Sequence, residues 1–192
     1  KIHAVSGHQF AVMRIILGGC LCVHFAGALA YGGEFFSPLG VLSSPSLFAT
    51  WGAVSNPFSF GDEPSMVVGL CIGGLCLSIL LGIGWRRRWV AFGLCFIWGS
   101  LLNDTVLINH VSLPWMGLVL ALMVALPPGE PLARDKATEG WILPQASYWG
   151  LLIALMAGYT VSGLHKLTDP SWVDGSALRH IFDGLLAPDS FL

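Results

Sequence analysis

The sequence predicts an all-α, polytopic transmembrane helix bundle of about five spans, with an extracytoplasmic interfacial or re-entrant element. Three observations carry this. Of the 192 residues, 55% are hydrophobic and only 10% charged. Five charge-poor apolar runs approach the roughly 20 residues that a helix needs to cross about 30 Å of hydrocarbon. Lysine and arginine concentrate in alternate links between those runs. This balance excludes an ordinary soluble domain. A net charge of −2 with only three lysines gives no reason to expect a nucleic-acid partner.

The runs fall at about 10–31, 65–85, 89–105, 111–127 and 146–165. The first is too long for the apolar region of a cleaved leader and has no small-residue cleavage site, so it is expected to remain as a helix. The chain opens at Lys1 and stops at Leu192 after a polar stretch, and is expected to be a single domain, 1–192, lacking one or both natural termini.

Short cytoplasmic loops retain positive charge. Arg86-Arg87-Arg88 therefore place the link between the second and third runs in the cytoplasm. Alternation then puts the amino terminus inside, with Lys1 and Arg14, and the 129–144 link inside, with Arg134 and Lys136. The 32–64 segment, the 103–110 connection and everything after Leu164 fall outside. The 32–64 segment has acidic residues and no Lys or Arg, yet carries Phe35, Phe36, Phe48, Trp51 and Phe58 between prolines and glycines. Two readings stay open for it: an amphipathic or re-entrant element across the bundle, or an interfacial loop with aromatic anchors.

Polar residues concentrate at the outer ends of the runs. Tyr159, Ser162, Gly163 and Lys166 share one helix face and lead to an ammonium at the helix end. Such a lysine either snorkels to the interface or, desolvated between helices, acts as a base. The connection holding Asn103, Asp104, Asn109 and His110 lies on the same side, where amide and charged side chains are costly unless they face the bundle interior. Lys166 and His110 are thus the candidate catalytic residues, expected at a common cavity opening outward. Asn109, Asn103, Tyr159 and Trp172 are candidate substrate- or cofactor-binding residues. The five cysteines sit in apolar runs without C-x-x-C or zinc spacing and are read as packing residues, so no metal is expected. His24 is read as hydrogen-bonded to a neighbouring helix rather than as a ligand to haem, chlorophyll or copper.

Ser162-Gly163-Leu164-His165-Lys166-Leu167 followed by Trp172-Val173-Asp174-Gly175, the Asn109-His110 pair, and the Leu81-to-Arg86 turn with its Leu-Gly-x-Gly-x-Arg order resemble the horizontally transferred transmembrane (HTTM) domain family. That family is related to the membrane domain of the vitamin K-dependent gamma-glutamyl carboxylase. The resemblance implies Lys166 as a base that deprotonates a quinol, Asn109 and His110 beside it, and a quinone as cofactor. The chain lacks the large extracytoplasmic domain that holds the carboxylase's protein substrate. Two classes of function fit: a non-catalytic subunit packing with other membrane proteins in the bilayer, and a carboxylase-like membrane enzyme. Gly-rich helices and the missing substrate domain lean toward the subunit.

Overall fold

The computed structural model describes residues 5–35, 64–104, 112–177 and 179. Six helices follow in order: α1 Gly7–Phe35, α2 Pro64–Ile83, α3 Arg87–Asp104, α4 Ser112–Ala125, α5 Gln145–Thr168 and the short α6 Pro170–Val173. No β-strand occurs among the described residues; the one isolated bridge joins Ser6 to Ile142. Each of the five apolar runs is thus a helix, within a few residues of its expected bounds. Three helices are long and apolar enough to cross a membrane: the Gly7–Tyr31 part of α1, Ser65–Ile83 and Gln145–Thr168. α3 starts on Arg87 and Arg88 and ends on Asp104, and α4 has only 14 residues, about 21 Å of helix. The expected outer element lies almost wholly outside the described residues.

The chain divides into two compact units, Lys1–Ser147 and Tyr148–Leu192. In the first, α1 packs along α2, α2 against α3, and α3 against α4. The buried face of α1 is Phe10, Arg14, Leu17, Leu21 and Phe25, the three-to-four-residue spacing of a single helical stripe. It meets Val67, Cys71 and Leu81 of α2, while Val90, Leu94, Ile97 and Trp98 of α3 join Leu120 and Met123 of α4. Gly18 sets the approach of α1 to α2: a Cβ there would lie 2.8 Å from the Gly82 nitrogen and 2.9 Å from its Cα. Hydroxyls inside the bundle turn back on their own helix, Ser78 donating to the Gly74 carbonyl at 2.6 Å and Ser100 to that of Phe96 at 2.8 Å. This satisfies them where no water is at hand.

One end of this unit gathers three segments distant in sequence. Leu143 donates its N–H to the Val5 carbonyl at 3.1 Å, and Arg134 donates to that of Ile83 at 3.2 Å. The start of α1, the α2–α3 turn and the loop after α4 therefore share one end, as the charge alternation requires. Trp141 stacks at 5.0 Å on Phe10. The turn itself is tight: Gly84 has φ +76° and Arg86 φ +42°.

His24 departs from expectation. Its neighbour on the adjoining helix is an aromatic ring, Trp98, with centroids 4.8 Å apart, and it also meets the edge of Phe25. The imidazole thus packs among aromatic rings, whose edges and faces attract one another at these separations. All five cysteines are free thiols.

Two outcomes are expected. Gly84→Ala should lower thermal stability in detergent by at least about 1 kcal/mol, since alanine disfavours positive φ and its methyl would lie 2.7 Å from the Arg14 guanidinium. Single cysteines at Lys136 and Val173, on either side of α5, should label from opposite faces of the membrane; labelling from one face would mean that α5 does not cross.

Candidate functional site

The most strongly built polar site among the described residues was not among those singled out from the sequence. Arg14, Arg87 and Glu130 are all buried. Glu130 Oε1 lies 2.9 Å from Arg87 Nε and 3.4 Å from Arg14 Nε. One carboxylate oxygen thus sits between two guanidinium groups, closest to that of Arg87.

The terminal nitrogens of both guanidinium groups donate to backbone carbonyls. Arg14 Nη1 donates to the carbonyls of Leu81 and Gly82, each at 2.6 Å, and Nη2 to that of Leu132 at 2.8 Å. Arg87 donates to the carbonyls of Met123, Leu126 and Pro127, the last at 2.7 Å, and Arg88 Nε to that of Val124 at 2.9 Å. A helix ends with four carbonyls lacking an intrahelical partner, and its C-terminal end is negative. Arg14 therefore caps α2, while Arg87 and Arg88 cap α4. Glu130 offsets the charge that two buried caps bring in, and the Phe10 ring closes the site 5.4 Å from the Arg87 guanidinium carbon. Leu132 adopts φ +57° as it turns its carbonyl toward Arg14.

From sequence, Arg14 and Arg86–Arg88 were read only as charges marking the cytoplasmic side, and Glu130 not at all. The structure corrects this for Arg14 and Arg87, which face the core. A signal was present, since Arg14 stands in the apolar stripe of α1, four residues after Phe10 and three before Leu17.

The second unit holds the motif that drew attention in the sequence. Lys166, in the last turn of α5, places its Nζ 4.3 Å from the centroid of the Trp172 ring on α6. Between them Asp169 caps α6: its Oδ1 accepts from the Ser171 hydroxyl at 2.7 Å and the Ser171 N–H at 2.9 Å. Those two bonds, the hydroxyl's first, hold the Asp169 carboxyl below its usual range. Gly175, φ +81°, ends the turn. Lys166 and Trp172 are thus brought together, and both are exposed, as is Tyr159 two turns earlier on α5. Asn103 lies in the last turn of α3. Asn109 and His110 fall outside the described residues, and with them the expected shared cavity. No group of three metal-ligating side chains occurs among the described residues.

A core of apolar helices, with buried cations spent on helix ends and further helices able to span a bilayer, defines an integral membrane protein. The family model of the HTTM domain matches residues 3–187. The chain belongs to the HTTM family. Comparison with curated proteins and with solved structures gave no match.

Glu130→Gln would leave two buried guanidinium charges facing a neutral amide. Breaking a buried pair from one side costs about 3–5 kcal/mol, so the variant should unfold well below the wild type in detergent. Arg134→Gln, an exposed change on the same loop, should shift the midpoint little.

Proposed function

We propose that this chain, as a single HTTM-type domain with its amino terminus in the cytoplasm, is a non-catalytic subunit that packs in a larger membrane complex. The observation that supports this is α5. Its 24 residues include none that is buried, and Gly150, Ala154, Gly158 and Ser162 recur every four residues along it. Small residues at that interval let another helix approach to backbone distance, where dispersion and weak Cα–H contacts hold the pair. A Cβ added at Gly150 or Gly163 meets nothing within 4 Å among the described residues.

The motif lysine supports the same reading. A ring face attracts a cation and not a neutral amine, so Lys166 over Trp172 suits an interfacial anchor better than a base. The second reading, a carboxylase-like enzyme with Lys166 as base on a quinol and Asn109 and His110 positioning it, draws on the family match, which spans the whole motif. In that reading the quinol displaces Trp172 from the amine.

Purification from native membranes separates the two. The wild type should carry a stoichiometric partner, and Gly150→Leu should lose it while still inserting with full helix content. Lys166→Met should keep the partner and cost no more than about 1 kcal/mol of stability. Quinol-dependent oxygen uptake by the wild type that falls about a hundredfold or more only in Lys166→Met would establish the enzyme instead.

A further inference from the structure

The α2–α3 turn sorts its three arginines in opposite directions. Arg87 enters the core, whereas Arg86 and Arg88 stay exposed, flanked by Trp85 and Trp89, which are 39% and 75% exposed. The Arg86 guanidinium carbon sits 5.5 Å from the Trp85 ring centroid. Arg88 donates its Nε to the Val124 carbonyl while the residue as a whole stays exposed. Arg134 and Lys136 lie exposed on the adjoining loop. The carboxylates nearby in sequence are Asp135 and Glu139; Asp135 Oδ2 already accepts the Arg86 N–H at 2.7 Å. Cations therefore exceed carboxylates on this surface. The turn follows directly on the last residue of a helix able to span the bilayer.

We propose that Trp85, Arg86, Arg88 and Trp89 form a docking site for anionic phospholipid headgroups. An indole three-quarters exposed in the first turn of α3, as Trp89 is, gains little from the protein core. At the boundary between acyl chains and headgroups its apolar ring and its N–H are both accommodated. Two tryptophans at that depth set the two guanidiniums level with the phosphates, and guanidinium matches phosphate in charge and in hydrogen-bond geometry. The charge complementarity selects an anionic lipid over a zwitterionic one, and the covalent adjacency of turn and span keeps the site at the bilayer surface.

The test uses the full chain in vesicles of phosphatidylcholine with a minority of phosphatidylglycerol, extracted and examined by native mass spectrometry for retained lipid. The wild type should retain phosphatidylglycerol in preference to phosphatidylcholine, and less so as salt rises. Arg86→Gln with Arg88→Gln should cut that preference by about thirtyfold, from the usual attraction of two basic residues to an anionic surface. Arg86→Gln alone leaves the Arg88–Val124 bond in place and should weaken the preference about fivefold without lowering the thermal midpoint. Arg134→Gln with Lys136→Gln should preserve most of it. The proposal fails if the wild type shows no preference, if the arginine variants retain it, if the loop variants lose it as fully, or if inorganic phosphate displaces the lipid, which would mark a free-anion site.

Discussion

Two buried arginines and one buried glutamate hold the described bundle closed at one end. Each ion alone would cost several kcal/mol to remove from water, and mutual attraction offsets this only where the remaining polar atoms also find partners. Here the partners are helix C-termini. The carbonyls that α2 and α4 leave open are the acceptors that Arg14, Arg87 and Arg88 need. Two deficits, unpaired carbonyls and desolvated cations, cancel each other, and Glu130 balances the charge left over.

The geometry of neighbouring residues follows from this arrangement. Gly84 lacks a side chain because the Arg14 guanidinium occupies the space a Cβ would take. Leu132 accepts a left-handed backbone because its carbonyl must reach the same group. The Arg86-Arg87-Arg88 run shows how a single charge signal carries separate tasks: one residue goes inward to a helix end, while its neighbours stay at the surface. Only the periodicity of α3, whose buried positions run Arg87, Val90, Ala91 and Leu94, decides which one turns inward.

The helices were legible in the sequence because span length and apolar composition are local properties; all five expected runs are helices. The common end of the α1 start, the α2–α3 turn and the loop after α4 was legible too, since charge alternation constrains sidedness. The number of crossings was less so, because α3 and α4 are short or bear charge at their ends, and length alone does not separate them from spans. Burial of Arg14 and Arg87 was missed for a physical reason. Positive charge near a membrane normally reports on orientation, and only the carboxylate of Glu130, far away in sequence, converts it into a core residue. At the expected site, Lys166 and Trp172 were each named from the motif but not as a contact pair, because the Asp169 cap that joins them depends on a helix of four residues, too short to show in periodicity.

The Arg14 site also has a schedule. Its last acceptor, the Leu132 carbonyl, lies 118 residues downstream, so ribosomal synthesis delivers α1 and α2 well before the loop that completes the arginine's coordination. In that interval the cation has the α2 carbonyls but no counter-charge, and the α1–α2 hairpin is an unfinished article in the bilayer. Glu130 then brings the compensating charge. In the finished chain the same charge is buried and faces a carboxylate 116 residues away in sequence.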